Sequence, residues 1–258
     1  MTMRGLAGKT AFLTGAAAGI GKATALRLAQ EGMHVWVSDL DPRALESVSQ
    51  DAARLSLQVG VVQADSTSEA EIRQAIQSVF DATGRLDVLV NNAGGSLHTP
   101  YRFADETDGD WDKVLNLNLM GAVRACRAAL PLMQRSGAGR VINYGSKAGR
   151  YGSLIAGPNY AAAKGAIAAL TRQLAMEYGE YGITVNCICP GVVLTPRTSG
   201  LWAERRSAEE RERIVSEIPL RRHAGVEDIA GAVAFLASDD AAFITGVSLD
   251  VNGGQGMA

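Results

Sequence analysis

Short apolar runs rich in β-branched residues alternate with stretches of helical period along the whole chain. This alternation constrains the fold more than any other feature. The runs cover 10–14, 34–38, 59–63, 86–91, 140–144, 184–188 and 247–251. Between them, apolar residues recur three and four apart over 23–29, 41–55, 69–80, 111–133, 160–178 and 226–237. A strand followed by a helix, repeated this often, leads to a parallel sheet with helices on both faces. The expected fold class is therefore α/β, a doubly wound parallel sheet. Turn residues are spread evenly and no linker or repeat interrupts them, so 1–258 reads as one domain. The exception is 196–219, rich in Arg and Glu where a short connection is expected. Long segments of this kind often cover a site as a lid. A solvated surface helix over 207–218 accounts for the same residues, and the two readings are compatible.

The composition, 47% hydrophobic and 20% charged over 258 residues, excludes disorder and fibrous classes. A net charge of -2 lacks the basic footprint of a nucleic-acid binder. Residues 1–10 carry no apolar core of a signal peptide, and no apolar run reaches the ~18 residues of a membrane span. The expectation is a soluble cytoplasmic protein with no membrane and no nucleic-acid partner. Cys126, Cys187 and Cys189 are odd in number and lack companions at metal spacing. They read as small core hydrophobes, with neither a disulfide nor a metal site. Helices 111–133 and 160–178 carry many small residues, Ala161, Ala162, Ala163, Ala166, Ala168 and Ala169 among them. Close helix packing follows, inside the domain or across a subunit interface.

The first strand runs into Thr14-Gly15-Ala16-Ala17-Ala18-Gly19-Ile20-Gly21. Glycines let a backbone turn tightly and approach a pyrophosphate, which the following helix N-terminus can hold. A glycine-rich turn is also simply a turn; its place between a strand and a helix favours the nucleotide reading. Asp39 ends the second strand, 24 positions after Gly15. A carboxylate there can accept hydrogen bonds from both ribose hydroxyls of an adenosine. The alternative, a helix cap, is already filled by Asp41 before Pro42. A 2'-phosphate about 4 Å from this carboxylate would cost on the order of 4 kcal/mol per charge pair at an effective dielectric of 20. With Ala17, Ala18 and Leu40 at the neighbouring positions, no cation offsets that cost. The cofactor expected from these residues is NAD rather than NADP.

Tyr160 and Lys164 are four apart in a helical stretch and share a face. Lowering a tyrosine pKa from about 10 by ~3 units takes about 4 kcal/mol. One ammonium at ~4 Å supplies a similar amount at an effective dielectric of 20. The pair is thus suited to acid/base chemistry near neutrality. Coincidence accounts for about 0.1 such pairs in a chain of this composition, so the motif is suggestive by itself.

With these motifs in this order, the sequence resembles the short-chain dehydrogenase/reductase family over nearly its whole length. The resemblance adds Asn91-Asn92-Ala93-Gly94 after the fourth strand and Asn118-Leu119-Met120-Gly121 in the long helix. It also adds Gly145-Ser146, Pro190-Gly191-Val192-Val193-Leu194-Thr195, and the tail Ile244-Thr245-Gly246 to Asn252-Gly253-Gly254. It implies a seven-stranded doubly wound sheet, commonly a homotetramer, that moves hydride between carbon and nicotinamide. Tyr160 would be the general acid/base, and Lys164 would lower its pKa and hold the nicotinamide ribose. Ser146 would hydrogen-bond the substrate oxygen, and Asn118 would anchor a water in a proton relay. Gly15, Gly19, Ile20, Gly21, Asp39, Leu40, Asp65, Ser66 and Asn92 would bind the adenosine and pyrophosphate half. Val193 and Thr195 would meet the carboxamide.

Two departures stand out. Ser146 precedes Tyr160 by fourteen positions, one more than the family pattern leads one to expect, so an extra residue lies in the segment framing the substrate. Asn252 stands where the tail usually carries Asp, a position expected to be structural.

Candidate substrate-wall residues are Ser96, His98, Arg150, Tyr151, Leu154, Val192, Arg197 and Trp202. Arg150 and Arg197 are candidate partners for an anionic group on the substrate; solvated surface arginines are the plain alternative. The main reading is an NAD-dependent enzyme interconverting a secondary alcohol and a ketone on a small polar molecule. An NADPH-dependent 3-oxoacyl reductase of fatty-acid synthesis is the runner-up, because Asn159-Tyr160-Ala161-Ala162-Ala163-Lys164-Gly165 looks like that branch. A non-catalytic cofactor-binding subunit is the alternative of another class, opposed by the intact Asn118, Ser146, Tyr160 and Lys164.

Overall fold

The computed structural model describes residues 3–153 and 155–257. Its sheet has seven parallel strands in the order β3-β2-β1-β4-β5-β6-β7. They are β1 (Thr10–Thr14), β2 (His34–Asp39), β3 (Val59–Gln63), β4 (Val88–Asn91), β5 (Gly139–Tyr144), β6 (Ile183–Pro190) and β7 (Ser248–Val251). After β3 the chain returns to the middle and places β4 beside β1. Ligands of open α/β sheets bind in the crevice at such a reversal, outside the carboxyl ends of the strands.

Both faces of the sheet are covered, and successive strand residues serve opposite cores. Leu13, Val88, Val90, Ile142 and Ile188 pack on one face, against α1 (Gly19–Gln30) and α10 (Val226–Ala237). Phe12, Leu89, Val141 and Val185 pack on the other, against α3 (Glu69–Thr83) and α5 (Gly121–Ser136). That is the period of two expected of a strand, with apolar side chains on both sides because neither face meets water. Each fully buried Leu, Ile or Phe contributes roughly 1.5–3 kcal/mol of transfer free energy.

Local signals fix the helix ends. The side chain of Asp41 accepts from the Arg43 N–H at the start of α2 (Pro42–Arg54), whose first residue is proline. Ser68 caps α3, and Gly84 closes it at a φ of 73°.

The expected helix over 111–133 is interrupted. It divides into α4 (Asp108–Leu115), a π-helical turn (Asn116–Met120) and α5. Asn118 accounts for the widened turn. Its Nδ2 donates to the carbonyls of Val114 and Gly95, both at 2.9 Å, and its Oδ1 accepts from the Gly95 N–H at 3.0 Å. One end of the amide therefore takes up a helix carbonyl, and both ends tie the helix to the loop after β4.

Three further helices complete the cleft: α7 (Pro158–Tyr178), α8 (Pro196–Arg205) and α9 (Ala208–Glu217). The segment 196–219 is thus two capped helices, where the sequence led us to expect one. A short α6 (Ala148–Tyr151) lies between β5 and α7 and has no periodic signature. A Cβ on Gly149 of α6 would come within 2.5 Å of the Gly165 N of α7, so small residues there permit close packing inside the domain. Cys126, Cys187 and Cys189 are free and buried. Among the described residues, no helix is long and apolar enough to cross a membrane, and no group of His, Cys, Asp or Glu could hold a metal ion.

Candidate active site

A cleft of about 660 Å³ opens along the carboxyl ends of the strands. Its floor at one end is the turn from β1 to α1. Gly15 and Gly19 have φ of 56° and 55°, in the left-handed region that a side chain strains. A Cβ on Gly15 would lie 2.7 Å from Cα of Ala93, so the turn after β1 can press against the loop after β4. Asn92 fastens the two, donating from Nδ2 to the carbonyls of Thr14 (3.1 Å) and Gly15 (2.5 Å). No side chain caps the N-terminus of α1, whose cap position is Ala18. Its first N–H groups therefore face the cleft beside Gly19, Ile20 and Gly21.

Asp39 lines the same end. Its Oδ2 accepts from the Ala17 N–H at 3.1 Å, and its Oδ1 accepts from the Asp41 N–H at 3.2 Å. These bonds fix the carboxylate while leaving acceptor capacity on both oxygens. Among the described residues, the only Lys or Arg side chains lining the cleft are Lys147 and Lys164. Neither belongs to the turn that holds Asp39. This cradle fits the adenosine and pyrophosphate of a dinucleotide: glycines where a Cβ would collide, open N–H groups, and a fixed acceptor.

At the other end, Ser146, Tyr160 and Lys164 meet. Ser146 follows β5, and its Oγ accepts from the Ala148 N–H at 3.1 Å, leaving its own hydroxyl proton to donate. Tyr160 and Lys164 stand on the first turns of α7. Lys164 is only 5% exposed, and its Nζ donates to the Tyr144 carbonyl at 2.7 Å. The ammonium lies 5.7 Å from the centroid of the Tyr160 ring. Asn118 is buried behind them rather than in the cleft wall. A Cβ on Gly94 would be 2.6 Å from Asn118 Oδ1 and 3.1 Å from Lys164 Nζ, so glycine there lets helix, loop and ammonium converge. A serine hydroxyl, a phenol and a buried ammonium around one space can donate, hold and pass a proton.

Other expected residues are distributed unevenly. Ser96, His98, Val192, Val193, Thr195 and Trp202 line the cleft. Thr195 caps α8 through the Thr198 N–H, and Val193 pairs with Ala224 in an isolated bridge. Leu40, Asp65 and Ser66 are not in the cleft wall. Leu40 is exposed, Asp65 Oδ1 accepts from the N–H and hydroxyl of Thr67, and Ser66 is buried, its carbonyl packed close to Gly121.

Arg150 is a correction. Its Nη1 donates to the Ser248 carbonyl at 2.6 Å and lies 3.2 Å from Asp250, against β7 rather than in the cleft. Tyr151 follows it, donating to Asp250 at 2.8 Å. An arginine holding a strand-edge carbonyl and a carboxylate is committed to structure. Leu154 and the Arg197 side chain lie outside the described residues. Asn252 has the structural role expected of it: Nδ2 donates to the Gly256 carbonyl and Oδ1 accepts from the Gly254 N–H. Aspartate could do only the second.

Several wall residues carry no motif. Lys147, Ile155, Leu201, Ile214 and Gln255 all line the cleft. Lys147 alone had a signal, its position next to Ser146. Leu97 and His98 take consecutive left-handed conformations, φ 52° and 57°, in the loop after β4. Each costs roughly 1–2 kcal/mol outside glycine, strain of the kind that collects at binding sites. Arg205 straps α8 over this end. It donates to the carbonyls of Ile155 (2.6 Å) and Thr99 (3.1 Å), with its guanidinium 5.2 Å from the centroid of the Tyr101 ring. Trp202 packs its ring edge-on to His223 at 5.1 Å, and burial pulls the His223 pKa below its usual value.

Comparison with known proteins gives consistent relatives. A family model described as enoyl-(acyl carrier protein) reductase matches residues 15–255. The chain is 36% identical to the 3-oxoacyl-(acyl-carrier-protein) reductase FabG of Thermotoga maritima, over 96% of this chain and 98% of that protein. It is 35% identical to a cyclohexanol dehydrogenase of Rhodococcus sp. (strain TK6), over 96% of each. The solved structure of an NAD+-bound xylitol dehydrogenase superposes with a TM-score of 0.88 at 33% identity, covering 96% of this chain and 98% of that one.

Proposed function

The chain belongs to the short-chain dehydrogenase/reductase family, oxidoreductases acting on CH–OH groups, and on that premise we propose that it is NAD-dependent. It interconverts a secondary alcohol and a ketone on a small molecule. The observation that carries the choice of NAD is Asp39, held by the Ala17 N–H beside the glycine turn, with no cation of that turn in the cleft wall among the described residues. The NAD+-bound xylitol dehydrogenase supports it by likeness.

When bound, nicotinamide supplies or takes the hydride at the substrate carbon. The chain's own residues handle the oxygen. Ser146 donates its hydroxyl proton to that oxygen while its Oγ accepts from the Ala148 N–H. Tyr160 gives a proton to the oxygen in reduction and takes one in oxidation. Lys164, desolvated and oriented by the Tyr144 carbonyl, favours the phenolate and steadies the ribose. Asn118 holds the loop after β4 and anchors the water through which Lys164 is resupplied with protons. Val193 and Thr195 would hold the carboxamide, Leu40, Asp65 and Ser66 would serve the adenosine, and 196–219 would close over the substrate. The molecule works as a soluble, cytoplasmic homotetramer.

Paired titrations with NADH and NADPH test this reading. Tight NADH and weak NADPH are expected. The reverse would overturn the charge argument and favour the NADPH-dependent 3-oxoacyl reductase, to which the Thermotoga relative lends weight. Binding of neither would favour a non-catalytic subunit.

A further inference from the structure

Resting on that reading, we propose that Lys147 is the substrate-recognition cation of this site and that the substrate is an oxo or hydroxy acid, its carboxylate paired with the Lys147 ammonium. Lys147 lines the cleft and directly follows Ser146 in the chain. Only its backbone is engaged, the N–H donating to the Pro190 carbonyl at 2.9 Å. Among the described residues, no carboxylate or carbonyl accepts from its ammonium. Burial alone draws its pKa down, with no neighbouring anion to restore it. A cation partly withdrawn from water is ordinarily paired, and among the described residues none pairs this half-buried ammonium. The carboxylates in the described cleft wall, Asp39 and Asp41, both belong to the turn from β2 to α2. The alternative cation, Arg150, is spent on Ser248 and Asp250.

The rest of this end sets the body of the substrate. Ile155, Leu201, Trp202 and Ile214 present apolar surface, while Ser153 and Gln255 add polar groups. An aliphatic or alicyclic ketone with a carboxylate matches that wall better than a polyol, whose hydroxyls would lose water against it. An ammonium on a flexible stem suits such a point charge.

The probes are 4-oxopentanoate and 4-oxocyclohexanecarboxylate, each beside its methyl ester, as substrates for NADH oxidation. The wild type should favour each acid over its ester at least tenfold in kcat/KM. Lys147→Met should reduce that ratio at least tenfold, and Lys147→Arg should preserve most of it. The ratio is internal to each variant, so partial misfolding does not mimic the result. Esters turned over as well as acids, or an unchanged ratio in Lys147→Met, would overturn the proposal. If no ketone is reduced with NADH or NADPH, the oxidoreductase assignment of this site is what fails. Calorimetric titration of 4-oxocyclohexanecarboxylate into the protein, with and without NADH, still decides the role of Lys147. At least tenfold weaker binding by Lys147→Met supports it; no binding by the wild type, or equal binding by both, overturns it.

Discussion

The nucleotide end of the cleft is made of backbone. Gly15 and Gly19 set the turn, Asn92 pins it to the neighbouring loop, and one carboxylate, Asp39, is fixed by main-chain N–H groups. All of it follows directly on the ends of β1, β2 and β4. The substrate end is made of side chains that come from far apart in the chain. Ser146, Tyr160, Trp202, Ile214 and Gln255 stand on five separate segments. Arg205 ties one of those segments, α8, to the carbonyls of Ile155, fifty residues away, and Thr99, 106 residues away. A backbone site depends on glycines that cannot be replaced without collision, so it tolerates little change. A side-chain site can be rebuilt residue by residue on the same sheet, so it is where specificity varies.

The sharpest test of this contrast lies where the two ends meet. Tyr160→Phe removes one hydroxyl and keeps the ring. Loss of a general acid/base should lower kcat by about 10²–10⁴-fold. The dissociation constant for NADH, which depends on the glycine end, should move far less. Steady-state rates with fluorescence titration of NADH on the same preparation measure both. A variant retaining parental activity would remove Tyr160 from the chemistry.

The next effect is confined to the nucleotide end. Asp39→Asn keeps the shape of the side chain and removes its charge. Repulsion of the 2'-phosphate is worth up to about 4 kcal/mol at an effective dielectric of 20. The NADPH-to-NADH ratio of dissociation constants should therefore fall at least tenfold, with catalysis by bound NADH little changed. An unchanged ratio would mean that shape, not charge, selects the cofactor.

The same contrast explains what could be read from the sequence. Strands 10–14 and 59–63 and helix 226–237 match their observed bounds because each is one uninterrupted run of a single period bounded by turn residues, which reports the element even in the partly buried edge strand β3. The glycine turn and Asp39 are local in sequence and were legible for that reason. The break in 111–133 was not, because it is made by a side chain, Asn118, bonding a loop more than twenty residues away. Arg150 misled for a similar reason: its position beside the cleft is clear from sequence, but its commitment to Ser248, 98 residues on, is not. Gln255 and Ile214 enter the wall only through tertiary folding, and no motif marks them.

A smaller effect is expected at the strap over the substrate end. Arg205→Met removes two donors to the carbonyls of Ile155 and Thr99 but keeps most of the stem's packing. Hydrogen bonds involving a charged group are worth about 1.5–3 kcal/mol where buried, and less at this part-exposed position. KM should rise about three- to tenfold with kcat changed about twofold or less, and Tm should fall by roughly 2–4 °C. A fall in kcat as large as the rise in KM would show that the strap positions the reacting groups rather than the substrate alone.

The smallest effect lies where the loop beneath Trp202 enters α10, and it depends on pH. Asp228 accepts from both terminal nitrogens of Arg222, at 2.5 and 2.9 Å, and from the Gly225 N–H at 2.8 Å. The guanidinium first, and the N–H second, hold its pKa down to about 2. A carboxylate depressed in the folded state stabilises the fold above its unfolded pKa, near 3.9, and loses that contribution as pH falls through the folded value. The pair is solvent-exposed, so its contribution is at most about 1 kcal/mol. Asp228→Ala, which removes both the charge and the acceptor, should lower Tm by about 2–4 °C at most near pH 6, and the gap from the wild type should close as pH falls from about 4 to about 2. A gap that persists at pH 2 would assign the stabilisation to the uncharged cap on Gly225. That outcome would also blur the contrast between the two ends, because backbone capping, rather than a charged side-chain link, would then hold the substrate end at its junction with α10.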